Sequence, residues 1–491
     1  MVKLECSHKQ DNMLQNKSTK VLSELEDFFS SYDKAIKTTL SVYRGLNIDS
    51  HTLSVPDKKQ SKYKKRDLLL LLLLFPLFGV ENVRGYFASV LSNQMEACSD
   101  TFYRLKNNMM INWRSLMYGL NKRILKRVEA DPELSKSPTC LILDDTDLRK
   151  KGKFIEHIGY VWSHVWKSFV LGYKGLFLGY WDGKSLMCLD FSLHKEVGKN
   201  SERKFGLTNK ERRVQYKKQR DINSPGYKRE QEVLISKIES AIHMIKEAVR
   251  RGIHFEFVLM DSWFVCKEIM KVALKAKGQL LGMVKKGNTK YNYQGNELTV
   301  NQIHNRLNRN KKYTRSRKLN MFVSYADASI EGIEVKLFFY KGGRRSGFNV
   351  ILSTDTSLTA YKAYEIYAIR WSIEVFFKES RKHFNLGKSQ SEDFDGQIAD
   401  ISLSIIQYNI FSIAKRVAAY ETLGNLFKDI ENQIMEKTIA ERIWGLILEL
   451  INLISDLLEV DVHDLLFKIF HNESNQEKIG KILAIYRANA A

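Results

Sequence analysis

The stretch from Tyr367 to Arg381 carries Tyr367, Arg370, Glu374, Lys378 and Arg381, polar residues spaced 3, 4, 4 and 3 positions apart. On a helix of about 3.6 residues per turn they share one face. Ile366, Ile369, Ile373 and Phe377 form an apolar stripe beside it. A lone carboxylate among cations suits a site that handles phosphate and metal. Two acidic positions upstream can complete it. Thr139-Cys140-Leu141-Ile142-Leu143 is a short apolar run leading into Asp144-Asp145-Thr146-Asp147, and Phe255–Met260 leads into Asp261. Both runs read as buried strands ending in acids. In an α/β layer the carboxyl ends of neighbouring parallel strands open on one edge, and a helix across that edge can add a third carboxylate. Periodicity does not choose among Asp144, Asp145 and Asp147.

Three carboxylates brought that close repel one another unless a cation joins them. Hard oxygen ligands suit Mg²⁺ or Mn²⁺. Two such ions, about 4 Å apart, can activate a nucleophile and stabilise the leaving oxygen of an in-line displacement. That is phosphodiester chemistry, with no catalytic cysteine and no covalent enzyme intermediate. Each residue also has an ordinary reading. An Asp after a buried strand is often a turn former or helix cap. Glu374 with Lys378 at i+4 could be an exposed ion pair worth about 0.3–0.5 kcal/mol, and Arg370 and Arg381 could belong to the same surface network. His157 and His164 stand seven apart without a partner to complete a metal site. No phosphate-binding glycine loop, dinucleotide fingerprint or serine elbow is present.

The elements that must position these acids read as a mixed α/β layer. The pattern from Lys62 to about Val128 is helical, with helices expected over Leu68–Leu74, Val80–Leu91 and Phe102 to about Arg127. The last of these is strongly basic. Ser168–Tyr180 and Ser185–His194 read as strands joined through Asp182-Gly183, a strong hairpin signal. Lys195–Glu230 holds 12 Lys/Arg and 5 Asp/Glu, which is too charged for a core and could wrap DNA. Helices follow over Gln231–Arg251 and Phe264–Ala276, with strands over Phe255–Met260 and Gln279–Val284. Residues 286–347 read as an insertion with strand-like pieces at Met321–Ala326 and Ile333–Tyr340. Phe348–Leu352 is a last strand, and Thr359 caps the helix that bears Glu374. Ile398–Ala491 reads as helical.

Composition points to a polyanionic partner. The 491 residues carry 78 Lys/Arg against 56 Asp/Glu, a net +22. The excess is uneven, because residues 420–491 hold 7 Lys/Arg and 12 Asp/Glu. The basic remainder suggests nucleic acid. The five scattered cysteines form no CxxC or Cys/His cluster, so reduced thiols in a cytoplasmic, nucleoid-associated protein are expected, and no zinc site. The polar N-terminus shows no signal peptide. Leu68–Phe78 is apolar but too short for the roughly 20 residues of a spanning helix, so no membrane contact is expected.

On these residues the chain resembles the DDE transposases of bacterial insertion sequences, and within them the group with a Tyr-x2-Arg-x3-Glu-x6-Lys motif around the third acid. Tyr367, Arg370 and Glu374 match it, while Arg381 stands where the motif has Lys, with Lys382 adjacent and Lys378 one turn earlier. The family's first acid is the Asp before Thr in Leu143-Asp144-Asp145-Thr146, which is Asp145; the second falls on Asp261 in Val258–Trp263. The resemblance covers roughly residues 138–388. It implies an RNase H-like catalytic core with a strand-rich insertion, flanked by helical regions. It also implies Asp145, Asp261 and Glu374 as the catalytic, metal-binding set for two Mg²⁺ or Mn²⁺ ions. Tyr367, Arg370, Lys378 and Arg381 are then the phosphate-binding or orienting residues. The expected organisation is a helical DNA-binding region over 1–135, core over 136–285, insertion over 286–347, the rest of the core over 348–395, and a helical C-terminal region over 396–491. The implied activity is cleavage at terminal inverted repeats and 3′-OH strand transfer into double-stranded DNA, by a homodimer. The rival readings are a catalytically silent DNA-binding regulator and a nuclease without strand transfer.

Overall fold

The computed structural model describes residues 34–434, apart from 50–51, 58–60, 90–91, 93–96, 129–136 and 344–345, together with residue 478. Two compact units divide the chain, Met1–Leu426 and Phe427–Ala491. Every element named below lies in the first. The expected helical stretch from 435 onward lies outside the described residues, as does Cys6; the other four cysteines are free thiols.

The N-terminal part is helical: α1 (Lys34–Gly45), α2 (Lys65–Leu74), α3 (Ser99–Lys106) and α4 (Trp113–Val128). The leucine run of α2 is buried throughout and closes through a 3₁₀ turn, Phe75–Phe78, onto Gly79 at φ 64°. None of the described helices is long and apolar enough to cross a membrane. Two expectations fail here. Val80–Leu91 forms only the single helical turn Val83–Tyr86. The long basic helix breaks in two at the Asn107–Asn112 segment, where the Asn108 and Asn112 side chains accept from the backbone N–H groups of Met110 and Ser115. Asparagine competes with helical hydrogen bonding in this way.

The sheet is built around β1 (Cys140–Arg149), β2 (Gly159–Ser163), β3 (Ser168–Trp181) and β4 (Leu186–His194). The β3–β4 hairpin turns at Asp182, whose carboxylate accepts from the N–H groups of Lys184 and Ser185. Then come α5 (Pro225–Gln231), α6 (Lys237–Arg250), β5 (Phe257–Met260), α7 (Lys267–Lys275) and β6 (Gln279–Met283). Residues 286–347 supply β7 (Lys290–Tyr293), β8 (Asn296–Thr299), α8 (Val300–Arg309), β9 (Thr314–Ser316), β10 (Met321–Ile330) and β11 (Ile333–Lys341), and β12 (Phe348–Ser353) follows. One mixed sheet runs β2-β3-β1-β5-β6-β12-β11-β10-β7-β8, with β4 paired to β3 and β9 to β10. Strands β1, β5 and β6 are parallel; β3 and β12 flank them antiparallel. The sequence pattern missed β2, β7, β8, β9 and α8, all short or half-exposed.

After the sheet come α9 (Ala360–Ala368), α10 (Trp371–His383) and α11 (Phe394–Val417). The expected single helix is two. At Ile369 and Arg370 the backbone hydrogen bonds shorten to an i→i+3 pattern, a 3₁₀ turn that re-aims the chain. Thr359 caps α9 as expected, its side chain accepting from the N–H of Lys362.

The basic stretch 195–230 corrects a second expectation. Arg220 has a fully buried side chain that pairs with Glu156 at 2.6 Å and Asp395 at 3.1 Å. Arg229 is buried against Glu232, and Lys218 bridges Asp393 and Asp395. Arg229 finds its partner three residues on, whereas Arg220 and Lys218 find theirs at the start of α11 and in the loop after β1. Some cations of the basic N-terminal helices are likewise engaged within the fold. Arg114 pairs with Asp190 and Glu232, Arg123 donates to the Leu46 and Asn47 carbonyls, and Lys106 pairs with Asp400.

Candidate active site

The parallel register places Leu143 beside Met260, so Asp144 and Asp261 follow as neighbours on the carboxyl edge of the sheet. Side chains alternate faces along a strand. Leu141, Leu143, Val258 and Met260 share a core cluster with Ala241, Met244, Ile245 and Ala248 of α6. The other face carries Phe177, opposite Asp144 in β3, which packs edge-on against Phe376 and Phe377 of α10. Asp144 therefore lies on the side of α10, and Asp145 on the side of α6.

Arg370, in the turn between α9 and α10, joins the site together. Its guanidinium donates one hydrogen bond of 2.8 Å to Asp144 and another of 2.5 Å to Glu374. Its Nε is buried without a partner. Burial pushes the Asp144 carboxyl up to about 7; Arg370 opposes this, and Asp261 adds to it. The Asp261 carboxylate accepts from the N–H of Trp263 at 2.9 Å. Tyr367 is half-buried beside Arg370, its ring centre 5.8 Å from the guanidinium carbon. Burial raises the Tyr367 phenol, and Asp261 and Asp144 both act on it. Asp144, Asp261, Glu374, Arg370 and Tyr367 thus form one electrostatic unit.

Asp145 adds to the rise of the Asp144 carboxyl, but its own contacts lie elsewhere. Its carboxylate pairs with Lys237 of α6, and with Lys174 of β3 at 3.6 Å. The Lys237 ammonium also lies 3.9 Å from the centre of the Trp263 ring. Asp145, expected with Asp261 and Glu374, lies on the α6 side of β1, because side chains alternate faces along a strand. Arg381 is also engaged elsewhere. It donates to the Thr146 hydroxyl and, at 3.2 Å, to the Asp147 carbonyl, clamping α10 to β1. Lys378 and Lys382 are exposed.

Among the described residues, Glu156, His157 and Glu230 bring three ligand atoms within 4.8 Å of one another. Arg220 already holds Glu156 through two hydrogen bonds of 2.9 and 2.6 Å, and His157 meets Glu230 at 2.8 Å. A guanidinium fills the place a metal would need. The edge at Asp144 differs. There, carboxylates from β1 and α10 converge beside Asp261, with burial already penalising the charged form of Asp144. Carboxylate oxygens are the donor type a hard divalent cation takes, but Asp144, Asp261 and Glu374 do not bring three ligand atoms within 4.8 Å of one another as Glu156, His157 and Glu230 do.

Acids gathered at the carboxyl edge of parallel strands are an arrangement suited to metal-dependent phosphate chemistry. Residues 234–410 match the family model of the transposase DDE domain. The match holds Asp261, Arg370 and Glu374 and begins after β1, leaving Asp144 and Asp145 outside it. No curated protein matches the chain.

Proposed function

We propose that this protein is a DNA transposase whose metal-binding acids are Asp144, Asp261 and Glu374. The observation that carries the reading is Arg370 bridging Asp144 and Glu374 beside Asp261. The order β4-β3-β1-β5-β6, with β1, β5 and β6 parallel, supports an RNase H-like core. The strand-rich segment between β6 and α9 is then its insertion.

Bound divalent ions would supply Lewis-acid stabilisation of the phosphate and a more acidic nucleophile. The chain's own residues do the rest. Asp144, Asp261 and Glu374 would hold the cations. Arg370 would grip a DNA phosphate beside them, which a planar guanidinium can do with two hydrogen bonds. Tyr367 orients Arg370. Lys378 and Lys382 line the exposed side of α10 as phosphate contacts, while Arg381 holds the helix in place. The same centre serves strand cleavage at the inverted repeats and attack by the freed 3′-OH, and paired ends imply a dimer.

The test is Mg²⁺-dependent cleavage of duplexes bearing the inverted repeats that flank the gene. Asp261→Asn and Glu374→Gln should each abolish cutting while leaving DNA binding intact. A variant that cuts at the wild-type rate removes that residue from the set. Joining of a pre-cut 3′-OH end to a target plasmid separates a transposase from a simple nuclease.

A further inference from the structure

Beyond the end of β1 the sheet narrows to a two-stranded ribbon. Arg149 pairs with Gly172, and the Lys150 N–H still reaches the Leu171 carbonyl at 2.8 Å. Past that point Ser168, Phe169 and Val170 pair only with Ser163, Trp162 and Val161 of β2. The tip is apolar where a free ribbon should be polar. Val165 is 78% exposed, Trp166 59% and Phe169 61%. Its shape is preset: the Trp166 N–H donates to Ser163 Oγ at 3.3 Å, and Lys167 takes the left-handed region at φ 48°. The Arg149 guanidinium stacks 4.8 Å from the Trp166 ring, and Phe169 packs edge-on to Trp162.

We propose that this ribbon is a DNA-contacting arm that inserts Trp166 and Phe169 into a groove of the duplex running across the acids. Charge favours DNA over another protein surface. The exposed charged residues between 149 and 169 are Arg149, Lys151, Lys153 and Lys167, all cations, of which Lys153 is paired with Glu211 at 2.5 Å. Glu156 is spent on Arg220, and Glu196 on the Trp162 N–H. A two-stranded ribbon fits a DNA groove, and exposed aromatic rings can wedge at base steps. The ribbon also points the right way. It leaves from the edge where Asp144 sits, and Ser168 lies nine residues along β3 from Phe177, the partner of Asp144. That is about 30 Å of extended chain, or about 9 base pairs of duplex. The arm's place on DNA relative to the cut rests on the transposase reading; its affinity for DNA does not.

The experiment measures binding of a fluorescein-labelled 40-base-pair duplex of arbitrary sequence to the full chain. Trp166→Ala combined with Phe169→Ala should raise Kd roughly tenfold, with an unchanged melting curve. Arg149→Gln and Lys167→Gln should each flatten the salt dependence by about one unit of slope. p-Benzoylphenylalanine in place of Trp166 should photocrosslink to the DNA. Unchanged Kd, or crosslinking to a second copy of the chain, overturns the proposal. On DNA that the wild type cuts, the crosslink should fall about 9 base pairs from the cut. A wild type that binds through the arm but cuts nothing sinks the transposase reading alone. A wild type that cuts normally while the aromatic variants bind normally sinks the arm alone.

Discussion

At the scale of single residues, Asp144 and Asp145 are adjacent acids with opposite surroundings. Both are half-buried, but Asp144 pairs with Arg370 beside Asp261, whereas Asp145 pairs with Lys237 and Lys174. Their variants should therefore separate. Asp144→Asn should lower Mg²⁺-dependent cleavage by roughly a thousandfold and weaken inhibition by Ca²⁺. Asp145→Asn should cost no more than roughly tenfold, the scale for groups that act through another residue, while lowering the melting temperature by uncovering Lys237. Equal losses in a cleavage assay would return Asp145 to the catalytic set. Lys150 gives a pH prediction. Burial pulls its ammonium down to about 7, although it donates to the Gly387 and Ser389 carbonyls at 2.9 and 2.6 Å. The unfolded chain keeps a lysine pKa near 10.4 and so binds the extra proton between those values. Stability should rise from about pH 7 towards pH 10, as the folded state sheds its buried charge. Urea midpoints across that range should show the rise, and Lys150→Gln should flatten it.

At the scale of elements, strands were legible where apolar runs met turn chemistry. Asp182-Gly183 marked the β3–β4 hairpin, and Thr359 marked the start of α9. The choice of acid was not legible. Leu141, Ile142 and Leu143 are all buried, because both sheet faces are covered, so no alternation shows in the letters. Only the pairing of Leu143 with Met260 fixes which Asp meets Asp261. The break at Arg370 was hidden too, since every residue from Tyr367 to Ser372 tolerates a helix and the 3₁₀ turn follows from packing. The buried cations escaped because their partners lie far along the chain: Arg220 meets Glu156 and Asp395 across 64 and 175 residues. Removing one member of such a network leaves the others charged and desolvated. Arg220→Ala should cost about 3–5 kcal/mol, read as a lower chemical-denaturation midpoint. Gly172 tests the root of the ribbon, because a Cβ there would sit 2.3 Å from the Leu148 carbonyl oxygen. Gly172→Ala should force β3 away from β1 and lower the melting temperature, with no comparable effect from alanine at Gly287, where nothing lies within 4 Å.

At the scale of the whole molecule, Arg114, Arg220 and Arg229 are cancelled inside the fold by Asp190, Glu232, Glu156 and Asp395, so the net +22 rests on the remaining side chains. The log–log salt dependence of duplex binding should report fewer phosphate contacts than +22, because only the cations on the DNA-facing surface release counterions. A slope close to that number would mean that DNA covers most of the basic surface. The bridge from Arg370 to Asp144 spans 226 residues of chain. The strand acids leave the ribosome early, and the helix that closes their ring follows only after the whole insertion has been made. A growing or prematurely ended polypeptide can thus hold Asp144 and Asp261 side by side and still lack Glu374. On the proposed reading, synthesis itself delays any cutting until the helix that bears Glu374 has been made.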